Sequence, residues 1–321
     1  KVKMPTSIGY GNGYEVSYMN SGKMTNKGWE FRVDAVPFEN RDWRVGFYFN
    51  IAHNENKITE MPDNYTEENY TFNNGEYAYR REEGRPMGSF YGYRYKGVCQ
   101  NKDATYARDA DGNVMKDISG NAIVMRNGTA TIAPGDALYE DINHDGVINQ
   151  YDIVYLGNSN PRFTGGAGVN VSYKQFKLSA IFYGRYGQDV VNSTRLNNES
   201  MRGIDNQSTA VLRRWRNEGD QTDIPRALYG EGYNTLGSDR FVEDASYLRL
   251  KSLSFNYRLP KKIIQRWGFS NIDVYVTGYN LFTWTKYTGQ DPEVKTENTY
   301  ARDSATTPAS IQLVAGFNLS F

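Results

Sequence analysis

The sequence predicts an all-β protein, a portion of a large antiparallel transmembrane β-barrel with long extracellular loops. Apolar and polar residues alternate with a period of two through several long segments. Short and long connections between these segments alternate, the asymmetry of outer-membrane barrels rather than of soluble sandwiches. No apolar run approaches the ~18 residues that a membrane helix requires. The mean hydropathy of −0.71 is compatible with strands that dilute each apolar residue with a polar one.

In Trp29-Glu30-Phe31-Arg32-Val33-Asp34-Ala35, apolar side chains hold the odd positions and charges the even ones. A turn at Phe38 to Arg41 leads into Trp43, Val45, Phe47, Phe49 and Ile51, set against Arg44, Gly46, Tyr48 and Asn50. The second pair has Val169, Val171 and Tyr173 before Lys174-Gln175, and Phe176, Leu178, Ala180 and Phe182 after it. The third runs through Leu253, Phe255, Tyr257 and Leu259, past Pro260 and Gly268, into Ile272, Val274 and Val276. Ile311, Leu313, Ala315, Phe317, Leu319 and Phe321 alternate to the last residue.

The intervening stretches, at about 55–160, 188–245 and 284–309, far exceed a usual connection of about four to six residues. With all short turns at the periplasmic end, seven strands cross and the last ends at Phe321 in the periplasm. Strand-like pieces such as Gly88 to Cys99 then stay inside the first extracellular loop. Bacterial single-chain barrels use an even number of strands, so seven read as part of something longer. The start, Lys1 to Pro5, lacks the apolar core of a signal peptide.

Composition narrows the function. Lys plus Arg and Asp plus Glu are 37 each in 321 residues, so no basic field exists to gather nucleic acid. An aromatic content of 14% marks a folded chain. Cys99 is the sole cysteine, which excludes internal disulfides and cysteine-based zinc sites. With His53 and His144 the only histidines, and no nucleophile beside a credible base, a non-enzyme is expected.

The sharpest local signal is Asp141-Ile142-Asn143-His144-Asp145-Gly146-Val147-Ile148-Asn149-Gln150-Tyr151-Asp152. Asp141, Asn143, Asp145, Asn149 and Asp152 stand at positions 1, 3, 5, 9 and 12 of a calcium loop. Val147 offers its carbonyl at position 7, Gly146 makes the turn at 6, and Ile148 is the apolar anchor at 8. The expected cofactor is Ca2+. A single copy, closely bracketed by Gly135 and Gly157, reads as a staple for a long loop and not as a sensor. Asp109 to Asn113 is different: with Gly112 at position 6, Ala107 falls at position 1 and Ile118 at 12. An Asp-Gly hairpin turn is expected there.

Ser208 to Gly219 predicts one short helix, capped by Ser208, with Val211 and Trp215 a turn apart. Its Arg213, Arg214 and Arg216 read as a solvated face more than as an anion site. Gly9, Gly11 and Gly13, like Gly165, Gly166 and Gly168, lack phosphate-loop spacing and read as turn or strand-entry glycines. The triplets Asn64-Tyr65-Thr66 and Asn192-Ser193-Thr194 are expected by chance in a chain rich in Asn and Thr. Glu30 and Asp34 share a strand face with Arg32, which suggests a cross-braced wet lumen.

The chain resembles the SusC/RagA-type TonB-dependent outer-membrane transporters of Bacteroidetes. The matching pieces are Asn26-Lys27-Gly28-Trp29-Glu30-Phe31, Gly88-Ser89-Phe90-Tyr91-Gly92-Tyr93, and Pro134-Gly135-Asp136 running into the calcium-type loop and Leu156-Gly157-Asn158. They continue with Pro161-Arg162-Phe163-Thr164-Gly165-Gly166, Tyr247-Leu248-Arg249-Leu250-Lys251, Asn280-Leu281-Phe282, Tyr287-Thr288-Gly289-Gln290-Asp291-Pro292-Glu293 and the Phe321 terminus. The resemblance implies a 22-stranded plugged barrel, of which residues 1–321 look like the C-terminal part, without plug, TonB box or N-terminal strands. It further implies a bacterial outer-membrane location in contact with lipid, TonB as the energy source through the absent part, a SusD-like surface lipoprotein as lid, and oligosaccharides or peptides as cargo. Gly316, Leu319 and Phe321 match the spacing of the C-terminal barrel-assembly signal, whereas Val314 stands where that signal prefers a polar residue. In this reading the 141–152 loop stiffens the largest extracellular loop for docking the lid.

Two rival readings are a secreted soluble β-sandwich, a binding module or enzyme with a dockerin-like calcium loop, and a structural surface protein of β-strands. Dockerins pair two such loops, and a structural protein would show internal repeats; one loop and no repeat are seen. Both rivals expect the apolar strand faces to pack against each other.

Overall fold

The period-two segments form one eight-stranded antiparallel sheet in which every strand lies beside its sequence neighbour. In the computed structural model the described residues are 2–7, 16–61, 68–230, 232–294, 296–297 and 300–321. Gly9, Gly11, Gly13 and the Asn64 triplet lie outside them. The wall strands are β1 (Val2–Ser7), β2 (Val16–Glu39), β3 (Trp43–Glu60), β4 (Phe163–Tyr173), β5 (Phe176–Tyr186), β6 (Tyr247–Arg258), β7 (Asn271–Thr285) and β8 (Gln312–Ser320).

Seven of these strands, β2 to β8, share a common band, as the alternation predicts. The eighth, β1, was not legible in the sequence and pairs only with the far end of β2, Val16 to Gly22. The edges β1 and β8 are not paired with each other, so the sheet is open. β2 and β3, with 24 and 18 residues, are longer than the ~9–11 residues a crossing needs and project beyond the band as a two-stranded arm.

All three short connections lie at one end. The Asn40 side-chain oxygen accepts from the amides of Asp42 and Trp43 at 2.9 and 2.8 Å, closing the β2–β3 turn. The two-residue β4–β5 turn places Lys174 at φ 51°. Between β6 and β7, Pro260 opens a short helix, Lys261–Ile264, and Gly268 ends the following turn at φ 78°. The connections of 61–162, 187–246 and 286–311 all leave from the opposite end.

The apolar face of the sheet is the exposed one. Phe31, Phe49, Val169, Leu178, Phe255, Val276 and Phe317 all project outward, from 41% exposure at Phe49 to 67% at Phe317. Aromatic rings bound this face at both ends. Trp29, His53, Phe163 and Tyr186 form the loop-side row, and Trp43–Tyr173, Phe176–Tyr257 and Phe269–Phe321 the turn-side row. From Phe163 to Tyr173 along β4, ten steps of ~3.4 Å at ~40° tilt give roughly 26 Å, close to the ~25 Å apolar band of membrane barrels.

The other face is polar and cross-braced. Arg258 pairs with Asp273, its register partner, at 2.9 Å, and Ser254 shares a hydrogen bond with Thr277 at 2.8 Å. Arg32 and Asp34 pair at 2.7 Å, as expected of a wet lumen. Tyr48 lies over its partner Gly168, where an added Cβ would stand 2.1 Å from the ring, and Tyr275 covers Gly316 in the same way.

Buried apolar clusters form instead in the long connections. The largest joins Tyr93, Cys99, Ala107, Tyr139 and Ile148 of the first loop to Leu236 of the second. Ser89–Gly92 pairs with Val154–Asn158, and Tyr95–Val98 with Ala137–Tyr139. None of these short strands joins the wall, so Gly88 to Cys99 stays within the loop as expected. In the third loop, Tyr300–Asp303 lies parallel to Asp189–Asn192 of the second, knitting the two together.

Ser208 to Gly219 differs from its expectation. Only Thr209–Arg213 is helical, as a 3-10 turn in which the Ser208 hydroxyl oxygen accepts from the Ala210 amide. Trp215 is not on that turn: its amide bonds to the Ile224 carbonyl, and its ring covers Gly135, where a Cβ would lie 2.3 Å away. The i, i+4 spacing of Val211 and Trp215 therefore serves two separate contacts, not one helix face.

Candidate functional site

The loop at 141–152 folds around its own oxygen atoms. The Asp141 carboxylate accepts from the Gly146 amide at 2.7 Å and from the Asp145 amide at 3.2 Å, tying position 1 to the turn. Gly146 sits at φ 80° and His144 at φ 56°, the left-handed conformations that let the chain close. Asn143 donates to Asp145 at 2.9 Å, and Asn149 donates to the Val147 carbonyl at 3.0 Å. Asp152 is buried and accepts from the amides of Ile142 and Asn149, both at 2.8 Å. Ile148 is fully buried in the largest loop cluster, as its position-8 role predicts.

Among the described residues, none of Asp141, Asp145 and Asp152 enters an ion pair with a cationic side chain. Burial, followed by the negative charge of Asp141 and Asp145, raises the Asp152 carboxyl above its ordinary range despite two amide donors. No three His, Cys, Asp or Glu side chains among the described residues form a compact metal cluster. The oxygen set also draws on Asn143, Asn149 and a backbone carbonyl, as hard-cation loops do. The residues present therefore fit Ca2+.

A second constellation lies where the polar face of the wall meets the third loop. Arg249 of β6, 2% exposed, donates to Glu293 at 2.8 Å and also pairs with Asp291. Lys251 reaches Glu293 at 3.2 Å and Arg185 of β5 reaches it at 3.8 Å. Burial opposes ionisation of Asp291, yet the amides of Ala309 and Glu293 and the Arg249 guanidinium hold its carboxyl below the ordinary range. The flanking residues are also fixed. Tyr287 donates to Asp303 at 2.6 Å, the Thr288 amide to Glu243 at 2.9 Å, and Gln188 to the Pro292 carbonyl at 3.1 Å. Gly289 is required because the Tyr287 ring packs on it, 2.4 Å from an ideal Cβ.

Between the second and third loops lies a polar cleft of about 500 Å3, lined by Asn192, Arg195, Asn198, Glu199, Arg213 and Gln290 among others. Arg195 and Glu199 pair at 3.0 Å, whereas Arg213 is exposed and stands outside any ion pair among the described residues. Amides, a hydroxyl and guanidinium groups in one cleft suit ligands rich in carbonyls and hydroxyls.

The sequence and fold can be set beside known proteins. No family model matches the sequence. TonB-dependent receptor P3 of Formosa agariphila is 32% identical over 297 residues, covering 89% of this chain and 27% of the relative. TonB-dependent receptor SusC of Bacteroides thetaiotaomicron is 25% identical over 312 residues, covering 94% and 27%. The RagAB peptide transporter structure superposes with a TM-score of 0.68 at 26% identity, over 98% of this chain and 31% of that one. The chain is of the SusC/RagA type. Its 321 residues span about a quarter to a third of the length of these relatives.

A SusC/RagA-type wall is an outer-membrane structure, in keeping with the outward apolar band between two aromatic rows. Two of the pieces that carry the resemblance, Tyr247 to Lys251 and Tyr287 to Glu293, are the two halves of the Arg249 cluster. Sequence reasoning singled out both without pairing them, because nothing in a strand motif shows which distant loop returns to it. It also missed a short echo. In Asp109 to Lys116 and Asp117 to Val124, Asp109 and Asp117 each cap a Gly-Asn turn. The amides of Ala107, Met115 and Ile123 then close a three-membered ring of 2.9 Å hydrogen bonds. An Asp-x-x-Gly-Asn spacing repeated after eight residues was the available signal. The Asp-Gly turn expected at Asp109 is present.

Proposed function

We propose that this chain supplies part of the barrel wall and the extracellular loops of an outer-membrane nutrient importer. The importer takes up oligosaccharides or peptides, driven by TonB and closed by a SusD-like lipoprotein. The observation that carries the reading is the inside-out sheet: its apolar face lies exposed between two aromatic rows while its polar face holds an incoming loop. Such a sheet fits a lipid-bounded channel wall and not a soluble sandwich core. Not being an enzyme follows the same reading. The cleft beside Arg213 is assigned to cargo, and a relative described as a peptide transporter supports peptides as one class.

We assign Ca2+ to Asp141, Asn143, Asp145, Val147, Asn149 and Asp152. When bound, the ion would offset two of the three negative charges of Asp141, Asp145 and Asp152, which no cationic side chain pairs with among the described residues. The loop then stiffens the first extracellular connection for docking of the lid.

The test uses the intact gene. A deletion strain is grown on oligosaccharide or peptide as sole carbon source and complemented with the full-length gene or with Arg213→Glu. Growth lost on deletion and restored by the full-length gene on one of the two sources supports import. Equal growth of the deletion strain on every source tested contradicts it. Recovery of the lid with D141A/D145A transporter tests the calcium role, and undiminished recovery removes it.

A further inference from the structure

We propose that the turn between β6 and β7 is a docking surface for the phosphate headgroup of an anionic membrane lipid. In bacterial barrels the short turns face the periplasm, so the lipid belongs to the inner leaflet of the outer membrane. The turn lies on the lipid side of the wall. Ile272 of β7 pairs with Leu319 on the outward face, yet it is 7% exposed, against 44% at Val274, the next outward residue. The short helix Lys261–Ile264 packs against β7, and Ile264 is its one buried residue. Beyond it, Gly268 turns the chain at φ 78° and the Phe269 amide donates to the Ile264 carbonyl at 3.2 Å. The Phe269 ring meets that of Phe321, 5.0 Å between centroids. The helix is thus held over the outward face and presents its remaining sides to the surroundings.

Those sides are sorted by chemistry. Ile263 and Trp267 stand four residues apart, as do Lys262 and Arg266, and residues at that spacing share a side of a helix. All four are exposed, and so is Lys261. Ile263 and Trp267 extend the apolar face past its turn-side aromatic row. The cations are not compensated within the protein: among the described residues, none of Lys261, Lys262 and Arg266 enters an ion pair or a side-chain hydrogen bond. Residues 259–270 hold three cations and no carboxylate, and the nearest acid in sequence, Asp273, is taken by Arg258 at 2.9 Å. Phe321, whose main-chain oxygen accepts from Ser270 at 3.3 Å, contributes one negative charge at most.

Like charges four residues apart on a helix repel, and an anion between them removes that repulsion. A cationic pair beside an apolar pair, at the edge of a lipid-facing wall, complements a headgroup phosphate and the chains beneath it. The phosphate sits by Lys262 and Arg266, and the chains run along Ile263 and Trp267, whose indole suits the membrane interface. An anionic headgroup is favoured over a zwitterionic one because the turn offers no acidic side chain to take an ammonium group.

The inference rests on the membrane reading, and one experiment separates the two. Full-length transporter in mild detergent is incubated with phosphatidylglycerol or phosphatidylcholine of the same chain length, and bound lipid is counted by native mass spectrometry. Wild type is expected to retain phosphatidylglycerol over phosphatidylcholine. K262Q/R266Q is expected to lose that preference through a drop of about tenfold in phosphatidylglycerol alone. W267S is expected to weaken both lipids and keep the preference. K102Q/K116Q, which removes two exposed lysines of the first loop, controls for diffuse charge and is expected to match wild type. Heat-modifiable mobility checks that each variant is folded. Equal retention of the two lipids by wild type, a preference that survives in K262Q/R266Q, unchanged retention in W267S, or an equal drop in K102Q/K116Q overturns the site. A dimer that K262Q/R266Q dissociates, with no lipid retained, assigns the surface to a second copy and also overturns it. Wild-type protein that stays monodisperse without detergent defeats the membrane reading and the docking surface with it.

Discussion

Arg249 of the wall donates to Glu293 of the third loop at 2.8 Å, across 44 residues of sequence. Because the same guanidinium also pairs with Asp291 and is itself 2% exposed, one side chain anchors a whole loop to the lumen-facing surface. Lys251 and Arg185 add cationic support, but neither takes both carboxylates.

Replacing Arg249 by Met leaves two partly buried carboxylates without their main partner. Losing one member of a buried pair costs about 3 kcal/mol or more. In full-length transporter, limited proteolysis is expected to cut the 286–311 segment far faster in R249M than in wild type while the wall remains intact. Cleavage at the wild-type rate would show that the loop is held by other contacts.

The anchor has a defined pH window. The Asp291 carboxyl is depressed on folding, so its contribution is fully present above the unfolded carboxylate range of about 3.9 and is lost as pH falls through the lower folded value. Loop protection measured by hydrogen exchange is expected to stay constant between about pH 5 and 7 and to fall only below about pH 4. A loss centred near pH 6 would point to a different titrating group.

On the wall, Gly168 makes room for the Tyr48 ring. Gly168→Val forces that ring aside, an overpacking cost of about 1–3 kcal/mol. Urea unfolding of the full-length barrel is expected to shift by that amount, with partial recovery in Y48A/G168V. An unchanged midpoint in G168V would mean that the ring is not held over the glycine.

Calcium removal is expected to loosen the first loop and leave the wall unaltered. Chelation of purified transporter, or Asp145→Ala, is expected to speed proteolysis within 105–160 and to leave heat-modifiable mobility unchanged. A chelator-insensitive cleavage pattern would count against a resident ion.

Much of the wall was legible because lipid on one side and water on the other impose strict alternation, as in Trp29 to Ala35 and Ile311 to Phe321. β1 was not, since it pairs with an arm beyond the band where neither face is bound to be apolar. The closed turn at 141–152 was readable because the oxygen groups that tie it together are local, all within twelve residues. The Arg249 cluster was not, since its cations stand on two wall strands and its carboxylates on a distant loop, and only the fold brings them together. Trp215 misled for a related reason: an i, i+4 spacing resembles a helix face even when tertiary packing over Gly135 decides the conformation.

The most direct measurement places a spin label on adjacent residues of two wall strands in full-length, Cys99→Ala transporter reconstituted in a bilayer. Labels at Val169 and Leu178 are expected to be accessible to oxygen and shielded from a water-soluble nickel reagent. Labels at Asn170 and Ser179 are expected to show the reverse. If all four positions favoured the nickel reagent equally, the sheet would not be a membrane wall.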